Sequence, residues 1–468
     1  MSSLTMKFGG TSVGSTEAIK QAADIVLEQA QKGQQVTVIV SAMSGVTDAL
    51  TRGAQTAAAG DDRTYRAVVA ELRVSHYRVI DTLLHSNGER AQLLADVDQH
   101  LDEFAAFCHS VHILGEVTPR AMDAITSLGE RINARIIAAV LRQHGARSEA
   151  IDATELIVTD NAFQKAVPLM DITRQRTIAR LSPLLEAGGI PVVTGFIGAT
   201  QEGITTTLGR GGSDYSAAIL GTCLDADEVW IWTDVDGVMT ADPRIVPEAR
   251  IIPTLSASEV SEMAYFGAKV LHPRTIWPVI ERGIPLWVKN TFNPTCPGTR
   301  IVREQENAAG TIKAVTAIKG LSMVIVEGRG MMGVPGIAAR TFSAVASQGA
   351  SVLMISQASS EQSICFVIPT AIVSPVIQAI EKEMVLELAR GDVNRVWSLD
   401  DVVIVTAVGA GTRSTPGVSA RIFGALGQAN INVIAIAQGS SECSISLVIA
   451  VDDSQEAVRR IHNEVINV

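Results

Sequence analysis

Residues 205–218, TTTLGRGGSDYSAA, concentrate groups suited to holding an anion. Gly209, Gly211 and Gly212 let backbone N–H groups approach a ligand closely. Ser213 or Asp214 can cap the helix that Ala217-Ala218-Ile219-Leu220 continues, and the N-terminus of that helix favours negative charge. Arg210 adds a planar fork matched to a carboxylate or a phosphate. Alone, such a turn is more often a plain helix start than a site, so its partners elsewhere in the chain decide the matter. Residues 6–15, MKFGGTSVGS, read as strand, Gly9-Gly10 loop and helix, a phosphate cradle with Lys7 just before the glycines. The Walker spacing G-x-x-x-x-G-K-[ST] is absent. Residues 41–47, SAMSGVT, form a small-residue loop after a strand, where open parallel sheets bind ligands. Ser127-Leu128-Gly129-Glu130-Arg131 places a glutamate at a helix start, which by itself is equally well read as favourable first-turn charge. With Thr233 and Asp234 ending a further strand, the inventory is lysines, arginines, glycines, threonines and carboxylates, and it lacks a nucleophilic Ser/His/Asp set. It suits phosphoryl transfer, in which positioning and charge neutralisation by lysine, arginine, backbone amides and Mg²⁺ do the chemistry.

These groups need a frame. Apolar, β-branched runs predict strands at residues 4–8, 36–40, 190–197 and 228–232. The helical period appears over 17–31 and through 63–143. It returns over 256–271, where Ser256 with Glu259 makes a capping box and Val260, Met263, Ala264, Gly267 and Leu271 form an apolar stripe. Lys269 lies off that stripe, free to face a ligand, although an exposed helical lysine is more often simply solvated. Strands alternating with helices over about the first 290 residues imply a parallel sheet covered on both faces.

The chain has 468 residues, too long for one core, of which 47% are hydrophobic and 19% charged; mean hydropathy is +0.25. No apolar run is long enough to span a bilayer and no signal segment opens the sequence, so the expected compartment is the cytoplasm. A net charge of −11 argues against nucleic acid as a partner. Five cysteines (Cys108, Cys223, Cys296, Cys365, Cys443) are scattered and never paired as C-x-x-C, so they read as small buried residues rather than as disulfides or a zinc site. His109 and His112 could share a metal, but nothing completes a ligand set, and no metal site is expected.

The C-terminal part repeats. Residues 328–368 match 409–449 without gaps at an offset of 81. Shared positions include Pro335-Gly336 with Pro416-Gly417, Arg340 with Arg421, Phe342 with Phe423, Gln357 with Gln438, and Ser359-Ser360-Glu361 with Ser440-Ser441-Glu442. Each copy reads as most of a βαββαβ unit. In the first copy the elements fall at 323–326, 336–346, 352–357, 364–368 and 376–388, with 393–399 as a last strand. The second copy ends after its helix at 455–466. The unclaimed strand at 312–318 is therefore expected to complete copy two, nesting the first unit in the second.

KFGGTSVGS, SAMSGVT, SLGER, TTTLGRGGSDYSAA, WTDVDGV, ADPR and FGAKVLHPRTI, in this order and followed by paired repeats, resemble the aspartate kinases over essentially the whole chain. The resemblance implies an α/β amino-acid-kinase fold, an open mostly parallel sheet sandwiched by helices, over residues 1–300. Two ferredoxin-like ACT domains follow at 319–400 and 401–468, the second completed by a strand from 311–318. It implies transfer of the γ-phosphoryl of ATP, with Mg²⁺, to the β-carboxylate of L-aspartate, giving 4-phospho-L-aspartate, the first step toward lysine, threonine and methionine. Nucleotide binding then falls on Lys7, Phe8, Gly9, Gly10, Thr233, Asp234, Met239, Arg244, Lys269 and Val270. Aspartate binding falls on Thr47, Glu130, Arg210, Gly211, Gly212 and Ser213, with Arg210 gripping the α-carboxylate and Glu130 the ammonium. Lys7, oriented by Asp214, and Arg210 are the implied catalytic groups. At Met239 many members have tyrosine, so a stacking or hydroxyl contact to ATP is not offered there. The family's ACT domains pair between subunits, implying a homodimer or a dimer of dimers. They bind an end-product amino acid at the interface. Residues 354–366, MISQASSEQSICF, resemble threonine-responsive members, which points to threonine, with lysine as the rival, near Gln357, Ser359, Ser360, Glu361 and Gln438. With no homoserine dehydrogenase segment after Val468, a monofunctional enzyme is expected. The rival readings are another amino-acid kinase of the same fold and a catalytically dead amino-acid sensor.

Overall fold

Residues 36–40, VTVIV, put Val36, Val38 and Val40 on one face of a strand and Thr37 and Ile39 on the other, with no charge on either, as expected where both faces of a sheet are covered. In the computed structural model such runs form the middle of a large sheet. The structure describes all residues except Met1, 86–87, 269–270, 305–311, 358–361, 411, 413–414, 439–442 and 467–468. The chain divides into two compact units. The first comprises residues 1–238, 251–257 and 271–305, and the second 239–250, 258–270 and 306–468.

Strands β1 (Ser3–Phe8), β2 (Gln35–Val40), β3 (Ser148–Ile151), β4 (Ile190–Thr194), β5 (Ile197–Ala199), β6 (Thr205–Thr207), β7 (Glu228–Thr233), β8 (Thr254–Ser256), β9 (Leu286–Asn290) and β10 (Thr299–Val302) belong to the first unit. Eight of them make one sheet in the order β3-β4-β2-β1-β7-β9-β10-β8, with every pairing parallel except β9 with β10. The helices, in chain order, are α1 (Thr16–Gln31), α2 (Val46–Ala58), α3 (Asp62–Leu83), α4 (Gly88–Leu114), α5 (Pro119–Thr126), α6 (Leu128–Gln143), α7 (Met170–Glu186), α8 (Gly212–Cys223), α9 (Ala257–Tyr265) and α10 (Pro273–Glu281). All but α9 lie in the first unit. Leu4, Met6 and Phe8 of β1 and Val36, Val38 and Val40 of β2 share one core with the apolar stripes of α1 to α6. Among the described residues no helix is long and apolar enough to cross a membrane.

Three elements differ from the sequence expectation. The strand expected at 190–197 is two strands, because Phe196 adopts φ +69° and a Cβ at Gly195 would stand 2.8 Å from the Ser213 side chain. Helix α8 has Gly211 (φ 71°) as its N-cap instead of Ser213 or Asp214, which fall in its first turn. The helix expected over 256–271 is only α9: Gly267 takes φ +89°, ending helical geometry, and a Cβ there would lie 3.0 Å from Ile318 Cγ1. Of the five cysteines, Cys296 and Cys365 are half-buried and the other three buried.

The second unit holds β11 (Ala314–Glu327), β12 (Met354–Gln357), β13 (Ser363–Pro369), β14 (Arg395–Val408), β15 (Ala435–Ala437) and β16 (Ser444–Ala450). Its remaining helices are α11 (Ile337–Ser347), α12 (Val373–Glu383), α13 (Val385–Arg390), α14 (Val418–Gln428) and α15 (Ser454–Val465). Its antiparallel sheet runs β12-β13-β11-β14-β16-β15. Two 14-residue strands serve both repeats. Residues 314–318 of β11 pair with 404–408 of β14, and after a register shift 323–327 pair with 395–399. The repeated glycines start equivalent helices: Gly336 caps α11 at φ 97° and Gly417 caps α14 at φ 88°.

Residues 239–250 and 258–268 are bound tightly within this second unit. Val315 N–H donates to Thr240 O (2.8 Å), Arg459 Nε to Ile245 O (2.7 Å) and Arg250 to Ile466 O (2.8 Å). The Lys313 ammonium lies 2.8 Å from fully buried Glu259, and Ser444 donates to Glu262 (2.6 Å).

Candidate active site

Strands β4, β2, β1 and β7 are consecutive parallel neighbours, so the segments leaving their carboxyl ends emerge side by side. With the N-termini of α2 and α8, these segments line a cavity of about 860 Å³ within the first unit. Lys7, Gly9, Gly10, Thr47, Glu130, Arg210, Gly211, Gly212, Ser213, Asp214 and Thr233 all line it. Groups far apart in sequence are thus brought together because the sheet, not the chain, sets their spacing.

Lys7, near the end of β1, is ion-paired to Asp214 in the first turn of α8, with Nζ 2.6 Å from Oδ1. The Gly9-Gly10 loop is held tightly: Gly9 N–H donates to Trp232 O (3.1 Å), as does Ser12 Oγ (3.2 Å), and Thr291 donates to Ser12 (2.7 Å). A Cβ at Gly9 would stand 3.3 Å from Lys7 Nζ, and one at Gly10 would stand 3.2 Å from Ala42 O. Gly9 N–H is already taken by Trp232 O, so what glycine provides here is room: without a Cβ at either position a phosphate can approach the loop beside that ammonium.

Glu130, in the first turn of α6, is 3% exposed, and its Oε2 has no hydrogen-bond partner among the described residues. Burial pushes its carboxyl up to about 8. Its depth follows from Gly129, where a Cβ would meet Ala42 Cβ at 2.8 Å, and from Asn133, which donates to Ser41 O (2.6 Å). Arg210 is exposed and has no ion-pair partner among the described residues. A buried carboxylate and an available guanidinium in one cavity complement the two charged groups of an α-amino acid.

Other expected residues are placed differently. The Phe8 ring is 1% exposed and stacks on Trp232 at 5.9 Å, so it serves the core and any ligand contact at this position must come from backbone. Thr233 donates to Asp234 (3.2 Å), but Asp234 does not line the cavity. Met239 and Arg244 belong to the second unit, where the exposed Arg244 pairs with Asp242 at 2.6 Å. Gln357 ends edge strand β12 and Gln438 follows edge strand β15, both exposed. Lys269, Val270, Ser359, Ser360 and Glu361 lie outside the described residues. Sequence reasoning missed Asp123, Gln164 and Phe196, all of which line the cavity. Gln164 and Phe196 are non-glycine residues at φ +67° and +69°, and no residue-type signal marks such a conformation. An isolated aspartate in the helical stretch AMDAIT was the one available hint.

No group of three or more metal-ligating side chains occurs among the described residues. The cavity's glycine cradle and its acidic groups suit a Mg²⁺ ion held chiefly by nucleotide phosphates, as that ion commonly is.

Residues 4–290 match the amino acid kinase family, and 324–384 and 405–465 each match the ACT domain. The chain belongs to the amino acid kinase family. Within it, the relatives are aspartokinases. The bifunctional aspartokinase/homoserine dehydrogenase 1, chloroplastic, of Zea mays is 41% identical over 98% of this chain and 50% of its own length. Aspartokinase 3, chloroplastic, of Arabidopsis thaliana is 32% identical over 98% of this chain and 80% of its own. Among solved structures, E. coli aspartokinase III with aspartate and ADP (R-state) matches with a TM-score of 0.79 at 28% identity, covering 99% of both chains. The same protein with lysine and aspartate (T-state) matches with a TM-score of 0.79 at 27% identity, again covering 99% of both chains. The chain spans about half the length of the bifunctional relatives it matches. This aspartokinase-family chain therefore has a kinase fold joined to a pair of ACT domains.

Proposed function

We propose that this chain catalyses transfer of the γ-phosphoryl group of ATP to the β-carboxylate of L-aspartate. A carboxylate oxygen forms the new O–P bond as the bond from γ-phosphorus to the ADP oxygen breaks. The attacking oxygen is already an anion, so no general base is needed. The observation that carries the reading is the cavity that sets available Arg210 and buried Glu130, whose Oε2 has no partner among the described residues, beside the Lys7-Asp214 pair and the Gly9-Gly10 cradle. Arg210 takes the α-carboxylate, Glu130 the ammonium, and Thr47 with Gly211, Gly212 and Ser213 the remaining polar edge. Lys7 neutralises the carboxylate and phosphoryl oxygens as they meet. Mg²⁺ bound to the nucleotide phosphates supplies further neutralisation.

Catalysis is assigned to residues 1–300 and regulation to the repeats at 319–400 and 401–468, which pair in a homodimer or a dimer of dimers. Threonine is the favoured effector near Gln357 and Gln438. The lysine bound to the related E. coli enzyme makes lysine the competitor to test. The product enters lysine, threonine and methionine biosynthesis, and the cytoplasm is the proposed compartment.

The test is ATP- and Mg²⁺-dependent acyl phosphate formation from aspartate, trapped as the hydroxamate, with threonine and lysine added separately and together. Turnover suppressed by threonine supports both parts of the reading. Turnover indifferent to either amino acid removes the effector, and no turnover with aspartate removes the substrate.

A further inference from the structure

Asp123 on α5 is 1% exposed and lines the cavity, yet among the described residues it has no cationic partner. Its carboxylate instead accepts neutral donors from two separate segments. Gln164 N–H reaches Oδ2 at 2.9 Å and Oδ1 at 3.2 Å, Thr207 N–H reaches Oδ2 at 3.0 Å, and the Thr207 hydroxyl reaches Oδ1 at 2.8 Å. Both segments lead to the glycine turn. Thr207 is the last residue of β6, two positions before Gly209. Gln164, held at φ +67°, lies directly against Gly209, where a Cβ would stand 2.9 Å from Gln164 O. Ala166 N–H donates to Thr207 O (3.0 Å), closing the link between the two segments. A left-handed glutamine is strained and persists only where its surroundings hold it, and the Asp123 carboxylate is what its amide meets.

We propose that Asp123 is a positioning residue that fixes the Gly209-Arg210 turn, and hence the guanidinium that receives the α-carboxylate of the amino-acid substrate. This rests on the aspartate kinase reading for the identity of that substrate. An ionised aspartate is acceptor-only and so matches three donors at once, whereas an asparagine would turn an NH₂ group toward one of them. Burial holds the Asp123 carboxyl above the usual carboxylate range, against the opposing pull of the bonds donated by Gln164 and Thr207.

The experiment compares the wild-type full chain with Asp123→Asn and with Thr207→Val, which removes one donor at nearly constant size. Two readouts are taken, steady-state kinetics in each substrate and the rate of tryptic cleavage after Arg210 without substrate. Asp123→Asn is expected to raise the aspartate KM about tenfold, the loss of one buried hydrogen bond, with ATP KM within about twofold, and to accelerate cleavage after Arg210. Thr207→Val should show the same split at smaller amplitude, and it decides alone if Asp123→Asn does not fold. Unchanged aspartate KM with unchanged cleavage, or aspartate and ATP KM rising together, would overturn the assignment. If the wild type turns over no aspartate, the substrate reading falls, while cleavage after Arg210 still decides whether Asp123 holds the turn.

Discussion

Lys7 Nζ lies 2.6 Å from Asp214 Oδ1, tying the end of β1 to the first turn of α8, with both side chains mostly shielded (11% and 17% exposed). The pair holds the ammonium ready at the mouth of the glycine cradle. Lys7→Ala should lower kcat by about a thousandfold or more while leaving the circular dichroism spectrum unchanged, since it removes charge stabilisation of the transferring group. Asp214→Asn, which leaves the ammonium present but unoriented, should cost less. Retained turnover in Lys7→Ala would remove the assigned role.

Glu130 sets a pH dependence. Its folded carboxyl is pushed up to about 8, above the unfolded value of about 4.3. The folded state therefore holds a proton that the unfolded state releases. The associated stability is full below about 4.3 and is lost as pH rises through about 8. Glu130→Gln escapes that loss, so thermal melts should show the variant gaining on wild type as pH rises from about 4.3 to about 8, with the difference level above that. An incoming ammonium favours the ionised form, so the wild-type aspartate KM should fall as pH rises toward about 8, and the variant should lose this trend. Its aspartate KM should be about 10- to 100-fold higher, the range for a lost hydrogen bond to a charged group.

Gly211 begins α8 at φ 71°, and a Cβ there would stand 3.0 Å from Thr275 Cγ2. Gly211→Ala should destabilise the protein by about 1–2 kcal/mol for the left-handed backbone alone. Because the turn carries Arg210, aspartate KM should rise more than ATP KM. A melt paired with substrate titrations checks both.

Fully buried Glu259 meets Lys313 at 2.8 Å and accepts Ala410 N–H at 2.9 Å, joining α9 to the start of β11 and the end of β14 in the second unit. Lys313→Met removes the ammonium beside a buried carboxylate, a change that costs about 3–5 kcal/mol. Calorimetry should show the transition of the second unit displaced downward, and an unchanged thermogram would mean that this carboxylate is satisfied without the lysine.

Much of the site was written in residue types. Glycine loops flanked by lysine, arginine and carboxylates stand out because few other sequences let backbone amides approach an anion, and Lys7, Glu130, Arg210 and Asp214 do line one cavity. The duplicated Pro-Gly was equally legible, since Gly336 and Gly417 start helices with nearly the same left-handed backbone. Only the tertiary structure decided where elements stop and which side chains the core claims. Phe8 sits within the motif but packs on Trp232, and α9 ends six residues early because Gly267 must approach Ile318. Gln164 and Phe196 are left-handed although neither residue type favours it, and Asp123 accepts hydrogen bonds from residues 41 and 84 positions away. Local sequence determines propensity and charge. Close approach between distant segments, which no local pattern encodes, determines strain, burial and the partners of a buried carboxylate.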